Sequence, residues 1–183
     1  VLSHVVLEDN GYLGVSAGAT AIDVAIHGGS GRISGVGSNY ELDSGGYVIV
    51  SSGGVLNGGT FSGSAYANMS GGALIESATL TDGGTLNVAA GATTSAITVG
   101  SGGGQQIKGT TISGTVKSGG LNIVSSGATA EYDVIESGGI EVISAGASAI
   151  GEVLSTGGTL LVLPGATVSG TVDEGGSIVS AGV

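Results

Sequence analysis

Apolar positions along this chain come in runs of three to five residues, each closed by Gly, Ser or Asp. Tyr47-Val48-Ile49-Val50, Thr85-Leu86-Asn87-Val88, Leu121-Asn122-Ile123-Val124 and Ile140-Glu141-Val142-Ile143 are such runs. Short β-branched segments bounded by turn residues predict strands and tight turns. A pair resembling Gly-Gly precedes each run, with its first member at 10, 28, 45, 64, 83, 102, 119, 138, 157 and 175. It is degenerate as Asn10-Gly11 and as Ser64-Ala65. A second marker, Gly usually followed by Ala, comes about eight residues later, at Gly18, Gly53, Gly72, Gly91, Gly109, Gly127, Gly146, Gly165 and Gly182. Two interleaved markers that hold phase over the whole chain define an internal repeat of 17–19 residues.

Positions inside the repeat are also regular. The fifth residue past the first marker is apolar at Val15, Val50, Met69, Val88, Ile107, Val124, Ile143 and Val162. A small or apolar residue follows the second marker at its third position (Ala21, Ile75, Ile112, Ala130, Ala149, Val168), and another near its seventh (Val116, Val134, Val153, Val172). A unit this short cannot bury its own apolar face, so units must stack along an axis. The expected fold is all-β: a right-handed parallel β-helix, or β-solenoid, of about ten coils. At about 4.8 Å per coil it makes a rod roughly 45–50 Å long. Ala after the second Gly suggests a tight, inward-facing corner. The irregular stretches 30–40 and 57–65 suggest loops bulging from the ladder. Residues 1–183 form a single solenoid segment, expected to be a piece of a longer repeat region because it starts and stops in mid-coil.

Composition narrows the function. The 183 residues include 40 Gly, 1 Pro, 5 Tyr, 1 Phe and no Cys or Trp. So few aromatics imply a narrow aliphatic core, and abundant Gly disfavours long helices. Mean hydropathy is +0.48, which argues against a disordered chain. Fourteen acids against three bases give a formal charge of −11. Nucleic-acid binding depends on Lys and Arg neutralising phosphates, so it is excluded as a partner class. The apolar run Leu160–Leu163 is too short to span a bilayer, and no membrane insertion of this segment is expected. Absence of Cys removes disulfides and thiolate metal sites.

Units such as Gly119-Gly120-Leu121-Asn122-Ile123-Val124-Ser125-Ser126-Gly127-Ala128-Thr129-Ala130, repeated at Gly45-Gly46-Tyr47-Val48-Ile49-Val50-Ser51-Ser52-Gly53-Gly54, resemble the repeats of AIDA-type autotransporter adhesins. The resemblance runs from Asn10 onward. It implies a passenger region displayed at the outer surface of a Gram-negative bacterium, active in adhesion to a host-cell receptor, self-association and biofilm formation. It also implies heptose attached to Ser or Thr by a dedicated glycosyltransferase. Ser51, Ser52, Ser125 and Ser126 are the candidate acceptors, in equivalent turns that also hold Ser144. Turn hydroxyls alternatively serve only to satisfy local backbone groups.

Parallel β-helices also host enzymes of tailspike and polysaccharide-lyase type, which need paired carboxylates. Asp133 and Glu152 share one repeat position and should stack on adjacent coils, with Glu131, Glu136 and Glu141 nearby in sequence. Such a pair suits acid–base work or a Ca²⁺ ion held by oxygen ligands; the favoured expectation is that both are solvent-facing turn residues. His4 and His27 are not at equivalent positions and should not share a metal. The Gly-rich stretches Gly28-Gly29-Ser30-Gly31 and 100–104 lack the Gly-Lys-Ser/Thr of a phosphate loop, and Gly31-Arg32-Ile33 lacks the Asp of calcium-binding nonapeptides. No catalytic, cofactor or metal residue is therefore assigned. The expected function is a non-enzymatic adhesin segment, the alternatives being a carbohydrate-active enzyme and a plain spacer.

Overall fold

Every coil places its four-residue run after the first marker in one sheet and its remaining residues in a second. The computed structural model describes residues 1–180 and contains 25 strands and no helix among them. All strand pairs between coils are parallel, forming a ten-stranded and a fifteen-stranded sheet. Leu121–Val124 and Ile140–Ile143 are typical of the first sheet. The second sheet bends. In the early coils one strand, such as Thr20–His27, runs through the bend; later coils divide it, as in Thr129–Glu131 and Val134–Ile135. The solenoid thus has three faces and three corners. The marker at Gly182 lies outside the described residues.

Each corner has its own chemistry. At Gly138-Gly139 the two glycines answer different needs. Gly138 has φ of 75°, which a residue with a Cβ resists. Gly139 packs so close to the previous coil that a Cβ would fall on the Val116 carbonyl oxygen. The second corner is the tight inward one expected from its Ala, since Ala73, Ala92, Ala128 and Ala147 are all buried. The third corner carries no sequence marker. One left-handed residue makes it in each coil: His4, Asp23, Asn39, Ser77, Ala96, Ser113 and Tyr132 with φ between 53° and 59°, and Gly58, Gly151 and Gly170.

The stretches 30–40 and 57–65 are not bulging loops. Ser30–Ile33, Val36–Asp43 and Val55–Phe61 are strands in register with their neighbours. The 17-residue coils arise at the second corner, where Ser34-Gly35 and Lys108-Gly109 replace a four-residue turn such as Ser51-Ser52-Gly53-Gly54. That trimming shifts the phase by one residue. Gly109 takes the place of Ala92, Thr110 pairs with Thr93, and Thr111 instead of Ile112 faces inward. Likewise Ile135 and Leu154 are the buried residues of the last face, while Val134 and Val153 are half-exposed.

The core is a stack of apolar rows: Val50, Met69, Val88, Ile107, Val124 and Ile143 in one, and Ile26, Leu42, Phe61, Leu80, Val99 and Ile135 in another. Volume is balanced within each coil. Tyr40 is wholly buried and presses on Gly37, where an added Cβ would meet the Tyr40, Ile33 and Leu56 side chains at 2.8–3.0 Å. Burial pushes the Tyr40 phenol up to about 12, and its hydroxyl has no partner. No helix of the described residues is long and apolar enough to cross a membrane.

Candidate functional site

Asp133 and Glu152 stack on adjacent coils as their shared repeat position requires, next to the registered pair Val134 and Val153. They do not face solvent. Both side chains are completely buried. The cause is the strand's period of two: Ile135 and Leu154 point inward, so the residues two before them do as well. In other coils the same row holds Val24, Tyr40, Ala78 and Ile97. The expectation of solvent-facing turn acids is therefore overturned, while Glu131 and Glu136 do sit at the half-exposed surface.

A third acid comes from the opposite face. Glu141 occupies the inward row of the ten-stranded sheet, where other coils place Val48, Ala67, Leu86 and Leu160, and it too is fully buried. One oxygen from each of Asp133, Glu141 and Glu152 lies within 4.8 Å of the others. Asn122, in register with Glu141 one coil earlier, sends its amide to within 3.5 Å of Glu141 Oε1. The cluster is thus built from two adjacent coils, Asn122 with Asp133 and Glu141 with Glu152, each coil giving one residue from each side of the core.

Electrostatics there are severe. The Gly114 N–H donates to Asp133 Oδ1 at 2.6 Å, yet Asp133 Oδ2, Glu141 Oε2, both Glu152 oxygens and Asn122 Oδ1 have no partner. Burial disfavours the charged form of a carboxyl. It pushes Asp133 up to about 6 despite the Gly114 N–H, and Glu152 up to about 8. Glu141 is raised well above the usual range by burial and by the charges of Asp133 and Glu152. Towards the N-terminus the polar interior continues with Gln105, whose amide donates to Thr94 Oγ1 at 2.9 Å, and with Thr111. Nothing in such a sealed cluster meets a polysaccharide; it can hold protons or a small cation. Sequence reasoning placed Glu141 near the pair but missed its inward direction, and it missed Asn122. Comparing residues down each repeat column would have found both, because their row is apolar in other coils at Val48, Ala67, Leu86 and Leu160 and turns polar from Gln105 to Glu141.

The two imidazoles are separate. His4 sits at the third corner, 3.6 Å from Asp23, and His27 bonds Asp43 at 2.7 Å, which raises its pKa. Among the candidate acceptor serines, Ser52 and Ser126 are exposed and Ser125 is half-buried. Ser51 is buried and accepts a bond from Arg32 Nε at 3.0 Å. A second hydroxyl ladder escaped notice: Ser44, Ser101, Ser118, Ser137 and Thr156 are exposed just before the first marker's glycine, and Ser64, also exposed, stands in place of that glycine.

The outer face of the ten-stranded sheet changes character along the rod. In early coils Tyr47 and Tyr66 stack with ring centroids 5.5 Å apart. Asn68 donates to the Tyr47 hydroxyl, and Asn87 donates to the Tyr66 hydroxyl and to Asn68 Oδ1. A groove of about 370 Å³ runs past Tyr66, Asn68, Asn87, Gln106 and Lys108. In later coils this face is apolar, with Leu121 and Ile140 37% and 43% exposed beside Ile123, Val142 and Leu161.

No family model matches the sequence, and neither does any curated protein. Among solved structures the chain is similar to the crystal structure of a TibC-catalysed, hyper-glycosylated fragment of TibA, residues 55–350. The two share 23% identity and a TM-score of 0.58, over 98% of this chain and 88% of that one. With every coil in parallel register and that likeness spanning nearly its whole length, the chain has the β-solenoid fold of the glycosylated TibA fragment.

Proposed function

We propose that this chain is a solenoid segment of an AIDA-type autotransporter passenger, carried at the surface of a Gram-negative cell, where it serves adhesion and self-association instead of catalysis. The observation that carries this reading is the outer face of the ten-stranded sheet. Leu121, Ile123, Ile140, Val142 and Leu161 form a flat apolar strip on a regular ladder. Apolar strips that remain exposed on a soluble fold mark interaction surfaces. Many weak contacts along a rigid rod give avidity without a pocket. The repeat resemblance and the shared fold with the TibA fragment support the surface role. Catalysis is disfavoured because the acids it would use are sealed in the core.

The test is display of the parent protein on non-adherent cells. Wild-type protein should cause clumping or binding to host cells. Ile140→Lys with Val142→Lys should reduce clumping at least tenfold while surface display is unchanged. Wild-type cells that neither clump nor bind would contradict the reading, and unaltered clumping by the variant would remove the strip from it.

The TibA fragment is glycosylated by TibC, and we place the corresponding modification of this chain, by a protein heptosyltransferase, on exposed turn hydroxyls. Ser52 and Ser126 are the accessible members of the predicted set, and the ladder Ser44, Ser64, Ser101, Ser118 and Ser137 offers the same exposure. A sugar on Ser51 would have to displace Arg32, and one on Ser125 would sit half inside the turn. Intact mass of the passenger from its native host should exceed the bare polypeptide by whole sugar units. A mass equal to the polypeptide would reject the modification.

A further inference from the structure

The buried cluster of Asp133, Glu141 and Glu152 is not needed by an adhesive surface, and it puts three ionisable groups inside the core. Three features favour an occupant. Oxygens within 4.8 Å of one another match ligands around one Ca²⁺, because oxygens on opposite sides of an ion at about 2.4 Å are separated by about 4.8 Å. Asn122 is 1% exposed, abuts Glu141, and keeps Oδ1 without a partner; a neutral amide oxygen beside carboxylates belongs to the hard-oxygen set that Ca²⁺ selects. Both Glu152 oxygens are buried and unpartnered as well, and buried carboxylates normally pair, bind metal or take up protons.

We propose that Asp133, Glu141, Glu152 and Asn122 form an interior divalent-cation site of the calcium type, clamping two adjacent coils of the solenoid. Among the described residues no Lys or Arg side chain bonds to the cluster, and a cation would supply positive charge there. Three carboxylates leave one net negative charge around a divalent ion, partly met by the Gly114 N–H at Asp133 Oδ1. The ion takes the place of any protons the clustered carboxyls carry, which leave to solvent as oxygen–metal contacts form. Because the site is enclosed, the ion loads during folding or through local opening of the coils.

The experiment uses protein refolded with EDTA or with millimolar calcium chloride, melted near neutral pH and again in mild acid. Calcium at about 100 times its dissociation constant should raise Tm by roughly 5–10 °C near neutrality and have little effect in acid, where protons compete. Glu141→Gln should lose the calcium response, while Glu131→Gln, on the surface, should keep it. Titration calorimetry should detect calcium binding in wild type and in Glu131→Gln, and none in Glu141→Gln. A Tm independent of calcium in wild type, or an equal response in Glu141→Gln, would overturn the site.

Discussion

Metal-free protein is expected to lose stability as pH rises from about 4 to about 8, by on the order of 5 kcal/mol. The sign follows from the three buried carboxyls. Their folded-state pKa values lie above those of the unfolded chain, Asp133 at about 6, Glu152 at about 8 and Glu141 well above its ordinary range. Groups raised on folding contribute stability that is complete below the unfolded pKa and is lost as pH climbs through the folded one. One pKa unit corresponds to about 1.4 kcal/mol, and the loss is smaller than the separate shifts would sum to because the three groups interact. Glu131 adds a further negative field on Glu152.

Two other contributions have the same sign and are separable. His27 beside Asp43 also favours the acid side, and the chain's excess of surface acids over bases repels itself less when partly protonated. Surface repulsion is screened by salt, whereas the sealed triad is not. Melting across pH at high ionic strength therefore isolates the interior groups. Glu141→Gln should flatten the profile and be more stable than wild type at about pH 8, because it removes a buried acid while keeping its shape. A wild-type profile that rises towards neutrality, or one unchanged in Glu141→Gln, would contradict the expectation.

Phe61→Ala should cost about 3–5 kcal/mol, read from the denaturant midpoint, and Phe61→Leu less than about 1.5 kcal/mol. Phe61 is the only Phe in the chain and is fully buried between Leu42 and Leu80 in its row. Its coil makes room for it. Ala67 takes the row position filled by Val48 before it and Leu86 after it. The next coil packs Gly84 so tightly that a Cβ would fall on the Phe61 carbonyl. Backbones this close cannot collapse into a cavity, which places the loss high in the range. In a solenoid each coil rests only on its neighbours, so the unfolding transition should also broaden. A cost below about 1 kcal/mol would mean that the coils relax around the void.

The two marked corners were legible because each imposes a residue type: Gly138 for its positive φ, Gly139 for its close approach, Ala128 for its burial. The third corner was not. His4, Asp23, Ala96 and Tyr132 share a left-handed backbone there without sharing side-chain chemistry, since an exposed single-residue bend between two paired strands tolerates whatever the ladder holds in place. Ile112 stands third past Gly109 as Ile75 does past Gly72, yet the trimmed turn brings Gly109 level with Ala92, so Thr111 and not Ile112 faces inward. The stacking of Asp133 on Glu152 followed from the repeat alone, but their inward direction needed the strand phase set by Ile135 and Leu154. Glu141 was obscured by a general expectation that acids lie outside, although its row in other coils is Val48, Leu86 and Leu160.

Site-resolved carboxyl titration by carbon NMR of EDTA-treated protein tests most directly whether the chain's clustered acids are sealed within the solenoid and its outer faces left to binding. Asp133, Glu141 and Glu152 should all titrate above the ordinary carboxylate range, Asp133 at about 6 and Glu152 at about 8. If all three clustered carboxyls instead titrate within the ordinary range near about 4, the cluster is open to solvent and the sealed core is wrong.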